Sequence, residues 1–216
     1  MSKFAMVFPG QGSQTVGMLA DLAAQFPIVE QTFAEASDAL GYDLWKLVQE
    51  GPAEELNKTW QTQPALLAAS VAIYRVWQQE NGAQPAMMGG HSLGEYSALV
   101  CAGVLDFKQA IRLVELRGKL MQEAVPAGTG AMSAIIGLDN DAIAKACEES
   151  AQGEVVSPVN FNSPGQVVIA GNKDAVERAG ARVCPASGTH GGHSCRGQPC
   201  EPGLCPAGLG AGGVDH

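Results

Sequence analysis

The stretch Ala86-Met87-Met88-Gly89-Gly90-His91-Ser92-Leu93-Gly94-Glu95 decides the fold of this 216-residue chain. Its apolar start predicts a short buried strand at residues 86–88, and the pattern after it predicts a helix that runs to Cys101. The pentapeptide between them matches G-x-S-x-G, in which a serine lies on a sharp turn from a strand into a helix. The sequence therefore predicts a reactive Ser92 at the end of a strand.

Two kinds of neighbour support Ser92 as a nucleophile. Gly90 and Gly94 allow the strand and the helix to approach closely, and the backbone N–H of Leu93 can bind an oxyanion, which is worth about 3–4 kcal/mol per donor. The alternative is a plain turn in which Ser92 caps the helix. His91 is interpreted as a turn histidine rather than a general base, because adjacent side chains on a tight turn point apart.

Alternating strands and helices predict an α/β fold with a largely parallel sheet for residues 1–125. The first strand is expected at residues 4–8, and a turn-rich loop containing Gln11 follows it. Helices are predicted at residues 18–26, 28–40, 52–57, 64–77 and 106–125. From residue 126 the pattern changes to β-α-β-β-α, with strands at 131–138, 155–161 and 166–170 and helices at 141–150 and 174–181. Residues 126–181 thus resemble a ferredoxin-like unit whose last strand is missing.

Arg117 interrupts the apolar pattern of the helix at residues 106–125. The apolar residues at spacings of three and four are Ala110, Leu113, Val114, Leu120, Met121 and Ala124. A guanidinium facing the core needs an anion, and its two parallel donors suit a carboxylate. Three roles of Arg117 remain open. It could bind a substrate carboxylate, it could form a structural ion pair with Asp or Glu, or its aliphatic stem could lie on the core while its head reaches water.

Charge and hydropathy exclude several classes of protein. The net charge of −9 argues against a nucleic-acid or anionic-membrane surface. The apolar run at residues 4–8 is shorter than a secretory signal requires, and no stretch reaches the roughly 18 apolar residues of a spanning helix. A cytoplasmic protein without nucleic-acid or membrane partners is expected.

Five motifs together resemble the bacterial malonyl-CoA:acyl carrier protein transacylases, from residue 3 to about residue 181. They are Phe8-Pro9-Gly10-Gln11-Gly12-Ser13-Gln14, Thr62-Gln63-Pro64-Ala65-Leu66, Gly90-His91-Ser92-Leu93-Gly94-Glu95, Arg117-Gly118-Lys119-Leu120-Met121-Gln122 and Asn160-Phe161-Asn162-Ser163-Pro164-Gly165-Gln166. The resemblance implies an incomplete α/β-hydrolase-like large domain interrupted by a ferredoxin-like small domain.

By the same resemblance, Ser92 carries malonyl as an ester, the N–H groups of Gln11 and Leu93 form the oxyanion hole, and Arg117 pairs with the malonyl carboxylate. Gln63 lies near the acyl pocket, although a helix-start role before Pro64 is an equal alternative. Malonyl passes from malonyl-CoA to the phosphopantetheine thiol of acyl carrier protein in two displacements, as a step of fatty acid biosynthesis. No cofactor or metal is implied.

Residues 182–216 depart from the family. They contain nine Gly, four Pro and four Cys in 35 residues, without strand or helix periodicity. The family's general-base histidine cannot be assigned to His190, His193 or His216. A zinc site is disfavoured because the cysteine gaps do not fit paired ligands; its candidates are Cys184, Cys195, Cys200 and Cys205 with His190 and His193. A disordered tail, translated out of frame from near residue 181, is the favoured hypothesis.

A chain without that histidine is expected to have little or no transferase activity. Two other functions remain as alternatives to a working transacylase. One is a non-catalytic remnant that at most binds a partner, and the other is a serine thioesterase or esterase, which would not need a carboxylate-binding Arg117.

Overall fold

The computed structural model describes residues 3–124 and 128–183, which divide into two compact units between Met121 and Gln122. The helix Phe107–Ala124, here called α7, begins in the first unit and ends just after this division. The elements up to it are, in chain order, β1 (Ala5–Phe8), α1 (Ala20–Ala23), α2 (Ile28–Leu40), α3 (Leu44–Glu50), α4 (Ala53–Leu56), α5 (Thr59–Gln79), β2 (Met87–Gly90), α6 (Leu93–Cys101) and α7 (Phe107–Ala124).

Strands β1 and β2 pair in parallel, with Phe8 opposite Gly90 at their carboxyl ends. The prediction of a buried strand at residues 86–88 is wrong in its burial, because Met87 is 68% exposed and Val7 on β1 is 75% exposed. Within the described residues, β1 is the one strand that pairs with β2, so part of this small sheet stays open. The parallel pairing itself agrees with the predicted α/β fold.

Helix α5 forms the centre of the first unit and is buried along most of its length. It begins at Thr59, five residues before the start predicted at Pro64. Pro64 lies in the second turn and removes the N–H that would bond the Trp60 carbonyl, and the surrounding core tolerates this loss. Gln63 is therefore a helix-interior residue, and its interpretation as a helix-start residue is wrong.

Helix α7 packs on the core through a different set of residues from the one predicted. The buried residues are Phe107, Ala110, Ile111, Val114 and Gly118. Leu113, Leu120 and Met121, which the pattern assigned to the core, are about half exposed. Apolar side chains occur on both sides of this helix, so spacing alone could not identify its inner face. Arg117 lies at the edge of the buried stripe and is partly exposed rather than buried.

The elements of the second unit are β3 (Gly130–Ile136), α8 (Asn140–Ala151), β4 (Val156–Ser163), β5 (Gln166–Asn172) and α9 (Lys173–Val183). Its three strands form an antiparallel sheet in the order β3-β5-β4. Ile135, Val167 and Ile169 pack with residues of α8 and α9 into a separate core. The order β-α-β-β-α agrees with the sequence pattern.

The proposed start of the tail at residue 182 is wrong by two residues. Arg182 and Val183 continue α9, because Val183 packs against the core of the second unit. The predicted disorder of the tail and the zinc alternative at Cys184, Cys195, Cys200 and Cys205 concern residues outside those that the structure describes.

Candidate active site

The two parallel strands bring two loops to one edge of the sheet. The loop with Gln11 follows β1, and the turn with Ser92 follows β2. The carboxyl ends of parallel strands are where open α/β sheets hold their sites. A Cβ placed on Gly94 would overlap the Phe8 carbonyl oxygen, so the start of α6 lies directly against the end of β1. Gly94 is thus required for the two loops to meet.

Ser92 occupies a strained backbone conformation at the start of α6. Its φ is 54° and its ψ is −108°, a region that residues with a side chain rarely adopt. A Cβ on Gly90 would overlap the Gly94 backbone, so no other residue type fits the closed turn. The serine side chain is exposed. Such stored strain is common at functional sites, and here it presents the hydroxyl at the end of the strand.

Arg117 connects α7 to the serine. Its Nη2 donates a hydrogen bond of 2.9 Å to Ser92 Oγ. Its Nη1 donates a hydrogen bond of 2.7 Å to Gln63 Oε1 on α5, and the guanidinium carbon lies 5.6 Å from the centre of the Tyr96 ring on α6. One cation therefore joins three helices beside the candidate nucleophile. The structure shows no carboxylate partner for Arg117 among the described residues, so the structural ion-pair alternative is not supported.

Gly118 explains how α7 comes close enough to place this cation. A Cβ there would lie 2.5 Å from the Cα of Trp60 near the start of α5. The close approach puts Arg117, the preceding residue, within reach of Gln63. The sequence motifs indicate Arg117 and Gln63, but they do not indicate Tyr96 or the reason for Gly118. A glycine inside a long helix next to a candidate ligand is the signal that could have indicated the helix contact.

Two backbone N–H groups at the start of α6 are already engaged. The N–H of Gly94 donates to the His91 carbonyl and that of Glu95 donates to the Ser92 carbonyl, at 2.9 and 3.3 Å. The N–H of Leu93, the first helical residue, has no acceptor within its own helix. Around Gln11, the Gly12 N–H donates to Gln14 Oε1, which closes the loop. The Gln11 and Leu93 oxyanion hole stays a prediction.

Other candidate nucleophiles and bases are less well placed. His91 is exposed, and the hydroxyl of Ser92 contacts Arg117 rather than an imidazole. Burial raises the pKa of the Cys101 thiol to about 12 against the opposing effect of Arg75, and burial also raises the pKa of the Cys147 thiol. Both thiols are thus protonated near neutral pH. Within the described residues no cluster of metal-ligating side chains and no helix able to span a membrane is found.

Solved structures of similar chains define the class of protein to which this fold and site belong. An acyl carrier protein S-malonyltransferase from Vibrio cholerae superimposes with a TM-score of 0.83 at 72% identity, covering 93% of this chain and 65% of that one. A malonyl-transacylase in complex with a type II PKS acyl carrier protein gives a TM-score of 0.81 at 80% identity, covering 84% and 59%. The described residues therefore have the α/β fold of acyltransferases, and the predicted α/β class is confirmed.

The particular family follows from the sequence. Residues 5–188 match the model of the acyl transferase domain, and the chain belongs to that family. It is 80% identical over 188 residues to the malonyl CoA-acyl carrier protein transacylase of Escherichia coli K12. This alignment covers 87% of this chain and 60% of that protein. The malonyl CoA-acyl carrier protein transacylase of Bacillus subtilis 168 is 48% identical over 180 residues, and this alignment covers 83% of this chain and 56% of that protein. The chain thus spans about 60% of the length of these relatives.

Proposed function

We propose that this chain takes part in the transfer of malonyl from malonyl-CoA to the phosphopantetheine thiol of acyl carrier protein, a step of fatty acid biosynthesis. It binds the acyl group and carries it as an ester on Ser92. The observation that carries the proposal is the contact between Arg117 Nη2 and Ser92 Oγ, because it puts a carboxylate-binding cation beside a strained serine. An esterase has no need of such a cation. Membership in the acyl transferase domain family and the similarity to malonyl CoA-acyl carrier protein transacylases support the same substrates.

The proposed chemistry is a double displacement. Ser92 Oγ attacks the thioester carbonyl of malonyl-CoA, a new C–O bond forms, the C–S bond breaks, and the coenzyme A thiol leaves with the proton that Ser92 gives up. The phosphopantetheine thiol then attacks the carbonyl of the malonyl ester, a new C–S bond forms, the C–O bond to Ser92 breaks, and the proton of the thiol returns to Ser92 Oγ. The coenzyme A thioester and the phosphopantetheine are substrates here, and the two displacements need no further cofactor.

Each site residue has one role in this scheme. The N–H groups of Gln11 and Leu93 stabilise the oxyanion of both tetrahedral intermediates, since they come from the two loops at the strand ends. The free carboxylate of malonyl pairs with the positively charged guanidinium of Arg117 through a charge-assisted hydrogen bond. The ester thereby forms with the acyl group held at both ends.

Turnover by this chain is expected to be weak. A serine hydroxyl needs a base within hydrogen-bond reach, and general-base catalysis typically contributes 10²- to 10⁴-fold, roughly. Among the described residues the one histidine is His91, and it does not meet Ser92 Oγ. Acylation should therefore be slow, and repeated transfer to acyl carrier protein should be slow as well. The cytoplasmic location stays a prediction.

We further propose that residues 130–183 are a ferredoxin-like domain inserted in the large domain, and that its last strand is missing from the described residues. The observed order β-α-β-β-α and the antiparallel arrangement β3-β5-β4 support this. A strand after α9 would return parallel to β5 and pair with the outer edge of β3, which has no strand partner among the described residues. That pairing would complete the split β-α-β unit.

The substrate assignment is tested by comparing acyl donors. Purified chain is incubated with labelled malonyl-CoA or acetyl-CoA, and the label transferred to acyl carrier protein is measured for the parent chain, Ser92→Ala and Arg117→Ala. We expect slow malonyl transfer by the parent chain, none by Ser92→Ala, and a shift of preference from malonyl towards acetyl in Arg117→Ala. If Arg117→Ala leaves the ratio of the two rates unchanged, Arg117 is structural and the malonyl assignment fails.

A further inference from the structure

Gln63 is a fully buried polar residue on α5 that touches the candidate site through Arg117. Its relative exposure is 0%, and it is one of the largest side chains with no accessible surface. Its Oε1 accepts from Arg117 Nη1 at 2.7 Å, while its Nε2 lies 3.5 Å from Met121 Sδ, a weak acceptor. Both ends of the amide are thus held by residues four positions apart on α7.

The orientation of this amide is fixed by chemistry. A guanidinium has five donors and no acceptor, so the oxygen of Gln63 must face Arg117 and the nitrogen must face Met121. A buried, neutral acceptor directs the cation without neutralising it. Gln63 therefore sets the position of Arg117 and leaves its positive charge available.

The rest of the guanidinium points to the serine. Nη2 reaches Ser92 Oγ, and the Tyr96 ring borders the cation at 5.6 Å, within the usual range of a cation-π contact. Since Nη1 is held by Gln63, Nη2 is the arm that is able to change partner. A carboxylate is a stronger acceptor for this arm than a hydroxyl, because both groups of the pair are then charged.

We propose that Gln63 is a positioning residue that holds Arg117 on Ser92 Oγ in the free protein, and that the carboxylate of the acyl group displaces the serine from Arg117. This inference rests on the proposed function and adds to it how the acyl group is selected. A donor with a free carboxylate takes Nη2 and releases the lone pairs of Ser92 Oγ for attack. A donor without one leaves the hydroxyl engaged with a cationic donor, which weakens it as a nucleophile.

The test replaces the amide by a group of the same shape and different charge. In Gln63→Glu the introduced carboxylate pairs with Arg117 and competes with the carboxylate of the substrate. The matched control is Gln109→Glu, the same substitution at an exposed position on α7. Two quantities are measured: the dissociation constant of free malonate by calorimetry, and the ratio of Ser92 acylation rates with malonyl-CoA and acetyl-CoA.

We expect Gln63→Glu to weaken malonate binding about tenfold or more and to lower the malonyl-to-acetyl ratio by a similar factor, since a charged hydrogen-bonded pair is lost. Gln109→Glu should match the parent chain in both. Gln63→Met, which keeps the volume and suits a buried site, provides a second variant and should also lower the ratio. It does so by removing the acceptor of Nη1.

An unchanged ratio in either folded Gln63 variant, with folding verified by circular dichroism, would overturn the role of Gln63. Failure of the proposed function has a different signature, because the parent chain itself would then neither bind malonate nor acylate Ser92 with a preference for malonyl-CoA. A merely structural role for Gln63 would lower both acylation rates equally and leave their ratio intact, which also contradicts the inference.

Discussion

The two sheets of this chain are stabilised in different ways. In the second unit, Ile135, Val167 and Ile169 have almost no accessible surface, and α8 and α9 cover them. In the first unit, Val7 and Met87 of the parallel pair are largely exposed, and the apolar core lies mainly among the helices around α5. The antiparallel sheet is therefore held by side-chain burial, whereas the carboxyl end of the parallel pair is in close backbone contact with the start of α6 at Gly90 and Gly94.

This difference is consistent with where the proposed active site lies. The parallel pair carries two loops to one edge, and Gly90 and Gly94 let α6 start against the end of β1. Helices α5 and α7, not the sheet, then supply Gln63 and Arg117 to Ser92. The position of Ser92 in the first unit depends on a few close backbone contacts. Substitutions should therefore destabilise the first unit by steric overlap with backbone and the second unit by loss of side-chain burial.

The largest effect on stability is expected from Gly94→Val. The added side chain would overlap the Phe8 carbonyl, where backbone must move, and we expect a loss of more than about 3 kcal/mol of unfolding free energy. Gly89→Ala is the matched control, since a Cβ at that position meets no atom within 4 Å. Hydrogen exchange followed by mass spectrometry should show lost protection in residues 3–121 for Gly94→Val and little change for Gly89→Ala. Equal protection in both variants would contradict the role of the glycine contact.

A smaller effect is expected from truncating the core of the second unit. Val167→Ala removes two carbons from a fully buried site on β5 and should cost about 2 kcal/mol, from lost burial and the cavity left behind. Val159→Ala on β4 is the same change at a position that is 46% exposed, and we expect less than about 0.5 kcal/mol. Urea denaturation monitored by circular dichroism measures both. Similar costs for the two variants would show that the second sheet is not stabilised by burial.

The smallest effects, and the most similar between the units, are expected at two helix caps. The Asp43 carboxylate accepts from the Lys46 N–H at the start of α3, and the Asp139 carboxylate accepts from the Ala142 N–H at the start of α8. Each capping bond satisfies one otherwise unpaired donor, so Asp43→Ala and Asp139→Ala should each cost about 1 kcal/mol by denaturant titration. Costs that differ by more than about 1 kcal/mol would indicate that one cap has a further role.

Much of the fold could be predicted from the sequence where periodicity was unambiguous. The pattern predicts α2 at residues 28–40, as observed, and α7 to within one residue at each end. The elements of the second unit follow for the same reason, since strands of period two alternate with amphipathic helices. Helix α3 was not predicted, although Asp43 is a cap signal, because seven residues are too few to establish a period.

The remaining misses have physical causes. Pro64 suggested a helix start, yet one lost hydrogen bond is tolerated inside the well-packed α5. Leu113, Leu120 and Met121 made the outer side of α7 look like its core side. Arg117 was identified because a cation interrupted an apolar pattern, but its partners come from other helices. Contacts with Gln63 and Tyr96 depend on tertiary packing, which spacing along one helix does not encode.

The most direct test of the central claim is to locate an acyl group on the chain after incubation with malonyl-CoA. Intact-mass measurement followed by peptide mapping should find one malonyl group, attached to the peptide that contains Ser92 and absent from Ser92→Ala. The strained turn and the adjacent Arg117 predict this ester even if turnover is slow. A chain that stays unmodified while it remains folded, or that carries malonyl equally in Ser92→Ala, would contradict the assignment of Ser92 as the acyl-bearing residue.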